Sequence, residues 1–201
     1  MKLAVLASGR GSNFEAILRN AQAGRLPGVE ISVLLSDKPN ARALAIAREA
    51  GIGTVVIERK NHESNQAFNE AIAEELQRRE IELIALAGYM RIVREPLLSA
   101  FEGRIINIHP ALLPAFPGLH AQKQALDYGV RFSGCTVHFV DAGMDTGPII
   151  LQAVVPVEYG DDEDSLSARI LNEEHRIYSE ALALIASGRV QLDDRKVRIL
   201  I

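Results

Sequence analysis

The sequence predicts an α/β fold: a doubly wound, mostly parallel sheet first, then a mixed second half closed by a long C-terminal helix. Two observations carry this prediction. Short β-branched runs at residues 3–7, 31–35, 54–57, 83–87 and 105–108 are almost continuously apolar, as strands buried on both faces are. The segments between them repeat apolar residues at helical spacing, and strand–helix alternation of this kind builds a parallel sheet.

Taken in order, Phe14, Ile17, Leu18 and Ala21 share one face of a first helix. Residues 41–50 are rich in alanine and stop at Gly51, a helix-ending residue. Phe68, Ile72 and Leu76 mark a third helix. The pattern changes after residue 110, where Pro114, Pro117 and Gly118 punctuate a loop. A short helix (121–128), two apolar strands (135–140 and 149–157) and one long helix (163–187) follow. Residues 190–192 and 197–200 bracket Asp193-Asp194 as a terminal hairpin. The expectation is one domain over 1–201, Rossmann-like, with a nucleotide-binding-like half at 1–110 and a second half at 111–201.

Composition narrows the function. With 48% hydrophobic and 24% charged residues, the chain is neither disordered nor collagen-like. Its single cysteine, Cys135, excludes an internal disulfide and a cysteine-based zinc cluster. The net charge of −4 provides no global field for a nucleic-acid backbone, so an anionic ligand must be met by local devices. The apolar run that opens the chain breaks at Ser8-Gly9-Arg10, too short for an export signal, and no run is long enough to span a bilayer. A cytoplasmic protein without membrane or nucleic-acid partners is expected.

Three stretches can carry chemistry. In Ser8-Gly9-Arg10-Gly11-Ser12-Asn13-Phe14, glycines allow a close backbone approach, and Ser12 and Asn13 are natural caps for a helix whose N-terminus attracts anions. Phe14 replaces the third glycine of a dinucleotide fingerprint and no Gly-Lys-Ser/Thr follows, so a single phosphate monoester is the better fit. In Asn107-Ile108-His109-Pro110, the two polar side chains lie two apart at a strand's carboxyl end and project to one side. An amide donor beside an imidazole suits a developing oxyanion. In the loop from Val140 and Asp141 to Asp145 and Pro148, a carboxylate facing His109 would hold that ring in one protonation state. Taken alone, the loop reads as a turn.

The long helix adds a fourth clue. Leu166, Ile170, Ile177, Ala181 and Leu184 form one apolar stripe, interrupted by Glu174. A carboxylate there needs a partner, and an internal salt bridge and a ligand contact serve equally. His138, between Val137 and Phe139, reads as structural; Cys135 reads as a buried, inert thiol. No histidine spacing indicates a metal centre.

Four motifs occur in a fixed order: Gly9-Arg10-Gly11-Ser12-Asn13, Ala87-Gly88-Tyr89-Met90-Arg91, Asn107-Ile108-His109-Pro110 and Asp145-Thr146-Gly147-Pro148-Ile149. Together they resemble the phosphoribosylglycinamide formyltransferase family, from Met1 to about Gly188. The resemblance implies formyl transfer from the cosubstrate 10-formyltetrahydrofolate to the amine of glycinamide ribonucleotide, in purine synthesis, with no metal. It assigns Gly11, Ser12, Asn13 and Glu174 to the ribonucleotide and Asn107, His109 and Asp145 to catalysis. It places Met90, Arg91, Ile92, Val93, Asn107, Val140, Asp141 and Asp145 around the folate, and leaves monomer or homodimer open. One departure stands out: many relatives carry an arginine where this chain has Asn65, which keeps a hydrogen bond to the folate but loses a charge contact with its tail.

Rival expectations are another formyl-folate enzyme, such as a hydrolase or a transferase with a different acceptor, and a non-catalytic nucleotide-binding module. The module explains the glycine loop but not Asn107, His109 and Asp145.

Overall fold

The computed structural model describes residues 1–200, and the chain divides into two compact units, Met1–Asn107 and a second beginning at Ile108. Ile201, the last residue of the expected domain, lies outside the described residues.

The first unit alternates strands and helices: β1 (Lys2–Leu6), α1 (Ser12–Gln22), β2 (Glu30–Ser36), α2 (Arg42–Glu49), β3 (Gly53–Val56), α3 (Asn65–Arg78), β4 (Leu83–Leu86), α4 (Leu97–Ala100) and β5 (Ile105–His109). The unit boundary falls inside β5. The strands run in the order β3-β2-β1-β4-β5, all parallel. The apolar runs become strands because both faces are covered: Leu3, Val5, Leu34, Leu35 and Ile84 are fully buried. Helices supply the cover through Phe14 and Ile17 of α1, Leu44 of α2, and Ile72 and Leu76 of α3, all buried. Each such side chain stabilises the unit by roughly 1.5–3 kcal/mol. Helix α2 ends as read, with Gly51 at φ 74° and its N–H donating to the Arg48 carbonyl.

The start of α1 differs from expectation. Its N-cap is Gly11 in the left-handed conformation, with no side-chain cap, so Ser12 and Asn13 occupy the first turn instead. The Gly11 carbonyl already accepts the Glu15 N–H at 2.8 Å, which starts the helix one residue earlier. A side chain is excluded there, since a Cβ on Gly11 would stand 2.7 Å from the Ala43 Cβ. The short helix α4 was not anticipated.

The second unit holds α5 (Ala121–Tyr128), β6 (Phe132–Phe139), β7 (Ile149–Pro156), α6 (Glu163–Ala186), β8 (Val190–Asp193) and β9 (Lys196–Ile199). Strands β6 and β7 are antiparallel, as is the terminal hairpin β8–β9. Helix α6 packs its stripe of Leu166, Ile170, Ile177, Ala181 and Leu184 inward, all of them buried. A capping box opens it: Asp162 accepts the Ser165 N–H at 2.8 Å, and Ser165 Oγ accepts the Asp162 N–H at 3.0 Å. The neighbouring Asp161 grips Arg169 through two bonds of 2.7 and 3.0 Å, which hold its carboxyl well below the usual range. The acidic run is thus spent on capping and pairing. The fold class is the one the sequence predicts, a mostly parallel sheet with a mixed second half and a long C-terminal helix.

Candidate active site

In the first unit, polar groups collect where β1, β2 and β4 end. Open parallel sheets present their ligand crevice at these carboxyl ends. The loop after β1 brings Gly9 to Asn13 to the N-terminus of α1, where first-turn N–H groups have no intrahelical acceptor. Ser8 stitches this loop to the one after β4: its N–H donates to the Gly88 carbonyl at 3.1 Å, and its Oγ accepts the Met90 N–H at 2.8 Å. Met90 and Ile92 are exposed large apolar side chains beyond that stitch, whereas Val93 is buried. Arg91 donates through Nε to Asp37 at 2.8 Å.

Asn65 is exposed as the first residue of α3, behind a Ser64 cap. Its side-chain oxygen accepts the Nε–H of Arg59, so a cation stands beside the position that lacks one in its own side chain. Asn107 lies near the end of β5, half-buried, in register with Leu86 of β4.

In the second unit, His109 ends β5 and is buried. Its Nδ1 faces Asp145 Oδ2 at 3.4 Å, and its Nε2 lies 2.8 Å from the Phe116 carbonyl. Both neighbours only accept, so both contacts are favourable when the ring carries two protons. Asp145 is half-buried with a left-handed φ of 55°, and its Oδ2 also accepts the Gly118 N–H at 2.8 Å. The loop that presents it is tight: a Cβ on Gly147 would stand 1.8 Å from the Phe139 carbonyl oxygen. Asp141 braces the loop by accepting the Gly143 N–H at 3.0 Å and the Thr146 hydroxyl at 2.6 Å. Val140 is half-buried at its start.

Two participants escaped the sequence reading. His138, expected as structural, points Nε2 at Asp145 Oδ1 from 3.7 Å and donates its Nδ1–H to the Phe139 carbonyl at 2.8 Å. Burial pushes its imidazole below the ordinary value, so it is held neutral beside the carboxylate. Asp37 is the other; it directly follows β2, at the carboxyl end of a strand as His109 is at the end of β5, and that rule could have found it.

Glu174 is buried on α6 as its stripe position requires. Its charge acts on Cys135 and Tyr178, and burial together with that charge pushes the Cys135 thiol up to about 12. Among the described residues, no group of three or more His, Cys, Asp or Glu side chains could hold a metal ion. None of their helices is long and apolar enough to cross a membrane.

Residues 1–182, all of the first unit and most of the second, match the model of the family described as formyl transferase. The chain belongs to the formyl transferase family. Within that family, it is 46% identical to the phosphoribosylglycinamide formyltransferase of Bacillus subtilis, over 90% of this chain and 92% of that one. It is also 46% identical to the trifunctional purine biosynthetic protein adenosine-3 of Drosophila melanogaster, over 93% of this chain but 14% of that protein. The chain therefore spans about a seventh of this trifunctional relative. Among solved formyl transferase structures, glycinamide ribonucleotide transformylase 1 from Symbiobacterium toebii superposes with a TM-score of 0.98 at 53% identity. That match covers 100% of this chain and 94% of the other.

Proposed function

We propose that this formyl transferase moves a formyl group from 10-formyltetrahydrofolate to the amine of N1-(5-phospho-D-ribosyl)glycinamide, a step of purine synthesis. Residues 1–201 act in this reading as a single domain, in the cytoplasm. The observation that carries it is the placement of His109 between Asp145 and the Phe116 carbonyl, on the strand that also carries Asn107. The names and coverage of the Bacillus subtilis and Symbiobacterium toebii relatives support the choice of substrates.

The phosphate of the ribonucleotide binds at the N-terminus of α1, where Gly11, Ser12 and Asn13 offer backbone N–H groups and a partial positive charge. Glu174 accepts hydrogen bonds from the ribonucleotide. Met90, Ile92 and Val93 give the folate apolar contact, Arg91 and Asn65 give it polar contact, and Val140 and Asp141 contact it as well.

The substrate amine attacks the formyl carbon directly. A C–N bond forms, the carbonyl oxygen becomes an oxyanion, and no covalent intermediate with the protein is required. The Asn107 amide and protonated His109 donate to that oxyanion, each donor contributing about 10²–10³ in rate. Asp145 orients the His109 ring through Nδ1 and helps move a proton from the attacking amine to the folate nitrogen. The bond from the formyl carbon to that nitrogen then breaks, and the formylated ribonucleotide and tetrahydrofolate leave. For Nε2 of His109 to serve the oxyanion, the Phe116 carbonyl must yield its place to the substrate.

The test is product identification. Incubation with both substrates should give the N-formyl ribonucleotide by mass spectrometry; recovery of free formate in its place would reject the transferase.

A further inference from the structure

In the first unit, Ser8 is a buried polar residue that stands where two parallel strands part. The β1–β4 ladder ends with Leu6 opposite Leu86, and the Ala87 N–H then donates to the Leu6 carbonyl at 2.8 Å. Beyond that point the chain after β1 enters the glycine loop, Gly9 to Asn13, and the chain after β4 enters the loop of Met90 to Val93. Ser8 holds the two together for one more step. Its N–H donates to the Gly88 carbonyl at 3.1 Å, and its Oγ accepts the Met90 N–H at 2.8 Å. A hydroxyl thus takes the place of the next backbone acceptor of the ladder.

These two bonds clasp Tyr89 from both sides, with its side chain buried and that of Met90 exposed. The glycine loop is pinned on another side as well: the Gly9 carbonyl accepts the Ala43 N–H at 3.2 Å, and Gly11 leaves no room for a side chain against Ala43. The loop is therefore fixed to α2, and Ser8 sets how far Met90 stands from it. Among the described residues, the Ser8 hydroxyl makes no other hydrogen bond. Because Ser8 is buried, water does not readily replace that acceptor when it is lost.

Resting on the function proposed above, we infer that Ser8 is a positioning residue that sets the separation of the two substrates. In that reading the glycine loop holds the ribonucleotide phosphate, and the loop of Met90 holds the folate. Transfer between two bound molecules depends on their relative placement, and an error of about 1 Å costs about 10²-fold in rate. Ser8 acts through the two loops and contacts neither substrate. Its loss leaves each loop with its own ligand-binding groups but frees one loop to shift against the other.

The test separates transfer rate from binding, on the whole protein and on Ser8→Ala, which removes the Oγ bond. The single-turnover rate at saturating concentrations of both substrates should fall by about 10-fold or more. Kd for the ribonucleotide alone and for tetrahydrofolate alone should stay within about twofold. A second measurement needs no variant. Hydrogen exchange at the Met90 amide of the unaltered protein should slow by about threefold or more when the ribonucleotide alone binds, because a loop held by its ligand opens less often. In Ser8→Ala that protection should vanish, while the Ala87 amide, whose acceptor is the Leu6 carbonyl, stays protected. An unchanged transfer rate, a rate loss that follows lost affinity for either ligand, or Met90 exchange indifferent to the ribonucleotide would overturn the role. An absence of formyl transfer in the unaltered protein would instead overturn the proposed function, and this role with it.

Discussion

The Nε2 of His109 lies 2.8 Å from the carbonyl oxygen of Phe116, an atom that can only accept. That nitrogen therefore carries a hydrogen, and Nδ1 is the one that faces Asp145 at 3.4 Å. The ring can serve a substrate through Nε2 only after exchanging a backbone acceptor for a substrate oxygen. Phe116 has a φ of 53°, an unusual conformation for a bulky residue and one that the surrounding structure must hold.

Replacing His109 or Asn107 by Ala should leave a folded protein whose kcat is lower by about 10²–10³. Steady-state kinetics on variants with native circular dichroism measure this. Turnover near that of the unaltered protein in either variant would remove that residue from the mechanism.

Gly11→Ala should both weaken ribonucleotide binding and lower stability. The new Cβ meets Ala43 at 2.7 Å, and the residue must hold φ 77°, together costing roughly 1–3 kcal/mol. Thermal unfolding and titration with the ribonucleotide read the two effects separately; unchanged values in both would mean the loop is not held against α2.

His138 predicts a pH dependence of stability. Burial holds its folded-state value below the ordinary 6.5, despite the opposing pull of Asp145 and Asp141. Below about pH 6.5 the unfolded chain takes up a proton that the folded one resists, so stability is full above that pH and falls as the pH drops further. Tm measured from pH 7.5 downward should therefore decline, and His138→Gln should flatten the decline. A slope unchanged by that substitution would assign the acid sensitivity elsewhere.

Cys135 should be inert. It is fully buried and its thiol is pushed up to about 12 by burial first, then by Glu174 and Glu173. A thiol reagent at pH 8 should react with it only after denaturation; rapid reaction of the native protein would contradict this.

The strands and long helices could be read from the sequence because each buries a face whose period appears in neighbouring residues. The stripe on α6 and the continuous apolar run of β1 are the clearest cases. Asn107 and His109 were legible for the same reason: strand geometry alone puts them on one side. The start of α1 was misread because Ser12 and Asn13 have the chemistry of caps, while the close approach of Ala43 requires glycine at position 11. His138 was hidden because its alternation with Val137 and Phe139 describes the strand, and nothing local records that Asp145 returns beside it. The Asp37–Arg91 pair joins residues 54 apart in sequence, and the Phe116 carbonyl acts through the backbone, which carries no side-chain signature.

The most direct test of the central claim is a spectrophotometric formyl-transfer assay with 10-formyltetrahydrofolate, with and without glycinamide ribonucleotide, on the protein and its His109→Ala variant. The account predicts an absorbance change only when both substrates are present, and its near loss in the variant. A change without the ribonucleotide, or full activity in His109→Ala, would contradict it.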